Sequence, residues 1–301
     1  MAVYWITGAY GFIGSQFIKL LISNNQTVIP IVVENPNLYA VEKIGSKITY
    51  DILNDSSSTG IKVGYPLPDY IINFGYKGIG NPNDALLNSK NIVEATFFAN
   101  FILSLGKQCT FFSIGTINEY TGIEFPNEKS EIKFKLLDNY ARTKITIHEQ
   151  LKEIYFNSKV NYVHLRIANI FGANQRQGTL IPILIDPKIA SFSVKRSNYW
   201  RDMLYVSDFN DYLYNLCLLP GLSGVINIGS GQSIYMTDFY RDLWITCGKE
   251  ANLLKFQDEQ EEKSQENRTH MDITKLRFII GPSYKIIPQI LAFKKMLSVD
   301  I

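Results

Sequence analysis

Val3-Tyr4-Trp5-Ile6-Thr7-Gly8-Ala9-Tyr10-Gly11-Phe12-Ile13-Gly14 stands at the head of the chain, and its reading decides the fold. A short apolar run meets a glycine-spaced turn, G-x-x-G-x-x-G, and passes into the amphipathic run Phe17-Ile18-Lys19-Leu20-Leu21-Ile22. Gly8 permits the turn's backbone angles, Gly11 lets an anion approach the main chain, and Gly14 lets a helix pack against the strand. The first helical N–H groups and the positive end of the helix dipole then face the turn. Strand, turn and helix in this order predict a dinucleotide site with Gly8, Tyr10, Gly11, Phe12, Ile13 and Gly14 around the pyrophosphate. A plain strand-turn-helix is the alternative.

Composition sets the bounds. The 301 residues suffice for a large core and one or two domains. A 46% hydrophobic and 19% charged composition is that of a folded soluble protein, and a net charge of +2 gives no nucleic-acid footprint. Cys109, Cys217 and Cys247 have no metal or redox spacing, so buried reduced thiols in a cytoplasmic protein are expected, with no metal. The first strand starts too early for a signal peptide, and no apolar run reaches the ~18 residues of a membrane span.

Further apolar runs alternate with helical stretches. Strands are predicted at Thr27–Val33, Lys47–Ile52, Pro68–Phe74, Thr110–Ile114 and Val160–Ile167, and helices at Asp84–Leu105 and Asp138–Tyr155. This alternation predicts an α/β fold, a Rossmann-type doubly wound parallel sheet, over residues 1–172. Residues 173–301 read as a smaller C-terminal α/β substrate-binding lobe. Within it, 206–230 is expected to return to the main sheet through the strand Gly224–Ile228. Glu34, after the second strand, is placed to bond the adenosine ribose and leans towards NAD, with an exposed loop carboxylate as the alternative. The loop Gly75 to Gly80, after the fourth strand, is a further candidate for cofactor contact.

Tyr140 and Lys144 are four residues apart in a helical stretch and share one face. A phenol with a pKa near ~10 is a poor base at neutral pH, and a nearby ammonium is expected to lower that value. Such a tyrosine takes a proton from an alcohol as hydride leaves, or gives one to a ketone as hydride arrives.

At this point the chain resembles the extended short-chain dehydrogenase/reductases, specifically the nucleotide-sugar epimerase, dehydratase and 4-ketoreductase family. The resemblance spans nearly the whole chain. It rests on Thr7 to Gly14, Asp51-Ile52, Ser113 to Tyr120, Tyr140 to Lys144, Leu165 to Gly172, Arg201 to Asp208 and Asn227 to Gly231. It implies an NAD(H) or NADP(H) cofactor held additionally by Asp51, Ile52, Phe74, Gly75, Tyr76, Asn91, Tyr140 and Lys144. For Asn91, a helix-surface amide is the competing reading. Thr116 is implied to be the third catalytic residue beside Tyr140 and Lys144, with Ser113 as its competitor. The implied substrate is a nucleotide-diphosphate sugar, its diphosphate met by Asn169, Arg176, Arg201 and Arg268. Arg166, at a strand end, is read as structural. The resemblance also implies a homodimer formed by the two helices at 84–105 and 138–155 as a four-helix bundle. Phe97, Phe98, Phe101, Ile147 and Leu151 serve equally well as core.

Two departures from the family pattern narrow the activity. Asn73-Phe74-Gly75-Tyr76 replaces the usual His-Leu-Ala-Ala, so bulky Phe74 and Tyr76 are expected to reshape the nicotinamide pocket. Ile117-Asn118 replaces the acid pair of 4,6-dehydratases, and Glu119 comes one position late. The loop is more similar to that of 4-keto-6-deoxysugar reductases. The expectation is therefore NAD(P)H-dependent reduction of a nucleotide-linked 4-keto sugar, of the kind that serves surface-polysaccharide biosynthesis. A 4-epimerase is the alternative; a 4,6-dehydratase and a catalytically silent dinucleotide sensor come behind.

Overall fold

Apolar β-rich runs bounded by turns form the strands of a seven-stranded sheet in a computed structural model that describes residues 1–32, 48–49, 66–78, 80–81, 83–258 and 270–298. In chain order the first half contains β1 (Val3–Thr7), α1 (Phe12–Ser23), β2 (Thr27–Val32), β3 (Ile48–Thr49) and β4 (Tyr70–Asn73). It continues with α2 (Ala85–Ser104), β5 (Cys109–Ile114), a 3-10 turn (Ile117–Tyr120), α3 (Asn139–Ile154) and β6 (Val160–Ile167). After these come β7 (Asn169–Phe171), α4 (Leu180–Ile185), β8 (Phe192–Val194), β9 (Trp200–Tyr205), α5 (Val206–Cys217) and β10 (Gly224–Ile228). The last elements are β11 (Ser233–Tyr235), α6 (Met236–Thr246), β12 (Leu254–Phe256), α7 (Thr274–Ile280) and α8 (Gln289–Ser298).

The large sheet runs β10-β6-β5-β4-β1-β2-β3, and its pairings from β3 through β6 are parallel. The order turns back at β1, next to β4, which is the switch point where open α/β sheets bind ligands. Gly224–Ile228 stands in this sheet beside β6. Two compact units divide the chain. One comprises Met1–Thr121, Ile132–Arg166 and Leu213–Ile226; the other comprises Gly122–Glu131, Ile167–Tyr212 and Asn227–Ile301. Where the sequence reading cuts once, after residue 172, the units change over five times along the chain.

In the first unit, α2 and α3 cover one face of the sheet. Trp5, Ile71 and Phe111 from the strands pack with Phe98, Ala99, Ile102, Ile147 and Leu151 from the helices. Each helix starts on an aspartate cap: Asp84 accepts the Leu87 N–H at 3.0 Å and Asp138 the Ala141 N–H at 2.7 Å. Phe98, Ile147 and Leu151 are thus core, and Phe101 packs against it; Phe97 stays 44% exposed.

In the second unit, β7, β9 and β11 form a three-stranded sheet and β8 pairs with β12. Asp202 ties this unit together from inside. One carboxylate oxygen accepts the Ser230 N–H at 2.8 Å and its hydroxyl at 2.6 Å; the other accepts the Met271 N–H at 3.3 Å. Among the described residues no helix is long and apolar enough to cross a membrane, and no group of three metal-binding side chains occurs.

Candidate active site

The glycine turn is built as tightly as its spacing implies. Gly8 has φ +62°, and a Cβ there would come within 2.9 Å of the Gly75 nitrogen. A Cβ on Gly14 would overlap the Gly8 carbonyl oxygen, so α1 sits against the turn only because that carbon is missing. The Gly11 N–H closes the turn onto the Gly8 carbonyl at 2.9 Å. Gly11 then caps α1 with no side-chain partner, and no acid stands in the first turn. Backbone donors, a dipole end and no competing carboxylate make a cradle that fits a dinucleotide pyrophosphate. Tyr10 is buried, and Phe12 and Ile13 are half-buried beside it. Glu34, Asp51, Ile52 and Arg268 lie outside the described residues.

The loop after β4 is pinned against this turn. Thr7 Oγ1 accepts the Gly75 N–H at 2.9 Å and donates to Asn73 Oδ1 at 2.6 Å. Asn91, on α2, is buried rather than a surface amide. Its side chain accepts the Lys77 N–H and donates to the Lys77 carbonyl, both at 2.8 Å. Phe74 is half-buried and meets Phe17 edge-on at 6.0 Å. The Tyr76 hydroxyl donates to Asn88 Oδ1 at 2.8 Å.

Thr116, Tyr140 and Lys144 come together. Thr116 follows β5 and caps the 3-10 turn, with its Oγ1 accepting the Asn118 N–H at 3.3 Å. Its hydroxyl is also near enough to the Tyr140 hydroxyl to favour the ionised phenol. The competing Ser113 is buried in β5, near the Tyr162 hydroxyl. Lys144, one turn along α3, donates to the Ile114 carbonyl at 2.8 Å and lies 4.3 Å from the Tyr76 ring centroid and 5.8 Å from that of Tyr140.

Burial pushes the Tyr140 phenol above its ordinary value, reinforced by Tyr76 and Glu119, with the Thr116 hydroxyl opposing. The sequence reading expects Lys144 to lower that value; burial, which takes the phenolate out of water, acts in the opposite direction. Burial also draws Lys144 down to about 8, and the Glu119 charge pulls it back up.

Glu119 itself is no late-placed acid facing the site. It is fully buried, and its Oε1 accepts the Thr116 N–H at 3.0 Å, completing a capping box. Arg166 Nε meets Glu119 Oε2 at 2.7 Å, His164 Nε2 stands 3.1 Å from the same atom, and Arg166 also donates to the Tyr120 hydroxyl at 2.8 Å. These neighbours hold the carboxyl at about 2, well below its ordinary range, despite burial. The structural reading of Arg166 is met by this pair. Its partner Glu119 is the functional-site residue that sequence reasoning misplaced. One signal was available: His164 and Arg166 are two apart on β6 and so share a face of the sheet.

Asn169, Arg176 and Arg201 belong to the second unit. Asn169 Nδ2 donates to the Asp202 carbonyl at 3.1 Å, which fixes it at the start of β7. Arg201 is exposed on β9, with its guanidinium 4.6 Å over the Tyr199 ring and Nη1 donating to the Trp200 carbonyl at 2.9 Å. Arg176 is exposed in the loop after β7.

Comparison with known proteins places this geometry. A family model described as the NAD dependent epimerase/dehydratase family matches residues 4–229, well over half of the chain. No curated protein matches the sequence. Among solved structures, a UDP-glucose 4-epimerase from Thermotoga maritima with UDP-glucose superposes with TM-score 0.80 at 20% identity over 98% of this chain and 97% of that one. TunA, an NAD-dependent NDP-hexosamine 5,6-dehydratase of tunicamycin biosynthesis, gives 0.78 at 19% over 99% and 97%. The Bordetella bronchiseptica enzyme WbmH in complex with NAD+ gives 0.80 at 15% over 99% and 98%. At these identities the likeness is one of fold.

Proposed function

The chain belongs to the NAD-dependent epimerase/dehydratase family, and from that premise we propose that it reduces the 4-keto group of a nucleotide-diphosphate-linked sugar with NAD(P)H. The observation that carries this reading is that Thr116 bears on the Tyr140 hydroxyl with Lys144 one turn behind it, in a loop whose acid, Glu119, is sealed inside by Arg166 and His164. That set moves a proton at a carbonyl oxygen. Water elimination needs an acid at Ile117 or Asn118, and neither is one.

The nicotinamide, when bound, supplies or accepts the hydride. The Gly8–Gly14 turn and the open first turn of α1 would hold its pyrophosphate, with the Gly75–Lys77 loop that Asn91 grips as a further contact. Tyr140 starts protonated, since burial holds its pKa high, and gives its proton to the sugar oxygen. Thr116 shares that oxygen's charge through its hydroxyl, and Lys144 stabilises the phenolate left behind. Asn169, Arg176, Arg201 and Arg268 are assigned to the diphosphate. Soluble, cytoplasmic operation on a sugar nucleotide follows from the same reading. Leu86 and Val93 at 66% exposure and Phe97 at 44% align on α2, which supports pairing of α2 and α3 with those of a second copy.

The test is NAD(P)H consumption with nucleotide-linked 4-keto sugars, together with mass spectrometry of what the denatured protein releases. Expected are exchangeable cofactor, net oxidation of NAD(P)H, and a loss of roughly 10²–10⁴-fold in turnover for Tyr140→Phe. NAD retained through every turnover, with inversion at C4 and no net oxidation, would replace this reading by the 4-epimerase. Unimpaired turnover in Tyr140→Phe would end the role given to the tyrosine.

A further inference from the structure

Tyr76 stands where the family resemblance expects a small residue, and the mechanism above leaves it unused. Its ring is held with unusual care. The hydroxyl donates to Asn88 Oδ1 at 2.8 Å, the next residue is gripped on both backbone groups by Asn91, and the preceding Gly75 N–H bonds to Thr7 Oγ1 at 2.9 Å. A Cβ at Gly75 would press within 3.0 Å of that same Thr7 oxygen, so a side chain there would make Thr7 give way. The held ring presents its face to the Lys144 ammonium at 4.3 Å and meets the Tyr140 ring edge-on at 5.1 Å and 87°.

Lys144 needs such a partner. Its ammonium has three donors, and the Ile114 carbonyl takes one of them at 2.8 Å. Lys144 is only 7% exposed, so its ammonium lies largely out of bulk water. An aromatic face within ~6 Å attracts a cation through its quadrupole, and the attraction grows as the site is desolvated. We propose that Tyr76 is a positioning residue for Lys144: its ring face keeps the buried side chain an ammonium and fixes it over the place where the Tyr140 phenolate forms. This deepens the proposed reduction and rests on the role assigned there to Lys144.

The other groups bearing on the ammonium are identified. Glu119, in the 3-10 turn, raises its pKa. Arg166 stands behind Glu119 and compensates part of that charge. Tyr140 is a neutral phenol on the same helix, and His148, one turn further on, is neutral because burial pushes it to about 3. A change at position 76 is therefore read against a fixed background.

The experiment is a pH titration of the Lys144 ¹³Cε resonance in the full chain with labelled lysine, assigned by its loss in Lys144→Arg. It needs neither substrate nor turnover, so it stands or falls apart from the ketoreductase reading. The wild-type midpoint is expected at about 8. Tyr76→Leu keeps apolar bulk but removes the π face; its midpoint should drop by about half to one pH unit. Tyr76→Phe keeps the face and should hold the wild-type midpoint. Should the leucine variant not fold, trifluorophenylalanine at position 76 keeps the shape with a weakened quadrupole and should give an intermediate drop. In turnover, the alkaline limb of kcat/KM should move with the same midpoint. An unchanged midpoint in Tyr76→Leu, or in the fluorinated variant, overturns the proposal. So does an equal drop in Tyr76→Phe, which would make the Asn88 tether the active feature.

Discussion

Breaking the Glu119–Arg166 pair is the sharpest perturbation this fold offers. The carboxylate is fully buried and the arginine side chain 7% exposed, with 2.7 Å between Nε and Oε2. Arg166→Met removes the cation and leaves a buried carboxylate with only the Thr116 N–H and His164 of these partners. Removing one member of a buried pair costs about 3–5 kcal/mol, because the remaining charge is uncompensated. The pH dependence gives a second measure. Glu119 titrates at about 2 in the folded protein against an ordinary 4.5. Its folded pKa is depressed, so its contribution is complete above the unfolded value and is lost as pH falls from about 4.5 towards 2. At ~1.4 kcal/mol per unit, that is on the order of 3 kcal/mol, shared between His164 and Arg166. The assay is a double-mutant cycle in urea at neutral pH with Arg166→Met, Glu119→Gln and both together. The double variant should be less destabilised than the sum of the singles by about 2 kcal/mol or more, since it leaves no orphaned charge. Additive single costs, or an Arg166→Met cost below about 1 kcal/mol, would refute the view that this pair holds the loop under Thr116.

Other perturbations follow from the same geometry. Gly14→Ala drives a methyl into the Gly8 carbonyl; overpacking of about 1–3 kcal/mol should displace α1 and weaken NAD binding at least about tenfold by calorimetry, and undiminished affinity would contradict the cradle. Asn91→Ala strips both backbone groups of Lys77 of their partner. A cost of about 1–3 kcal/mol and faster amide exchange confined to residues 74–78 are expected, so unchanged exchange there would speak against the clamp. Asp208 is buried and pushed up to about 6, while accepting the Ile287 N–H at 3.0 Å. An acid with a raised folded pKa destabilises increasingly as pH climbs from about 4 through 6, so Asp208→Asn should flatten the stability profile across that window; a profile with wild-type slope would exclude the assignment.

How much of this was legible in the sequence depends on how far each feature reaches along the chain. Val160–Ile167 and Gly224–Ile228 were read to the residue, because an apolar run between turn residues carries its own boundaries. The helical stretches that begin at Asp84 and Asp138 are α2 and α3, and those two residues are their caps. The strands β7, β11 and β12 went unread: each is three residues long, too short for a period of two to register, and exists only through distant partners such as the Trp200–Tyr205 strand. The site divides along the same line. Tyr140 and Lys144 share a helix turn and are visible as a pair, but the sign of the Tyr140 shift comes from burial, which no local spacing encodes. Glu119 shows the limit most clearly. Three residues after Thr116 it satisfies the capping-box spacing, and the same carboxylate meets His164 and Arg166, 45 and 47 residues further on. Read locally, it is an acid out of register. Read with β6 in place, it is the counter-charge on which the Thr116 loop rests, and that dual use is what the proposed reduction takes from it. The loop's sequence therefore narrows the chemistry through where its carboxylate is confined, a fact that only the pairing of β5 with β6 makes available.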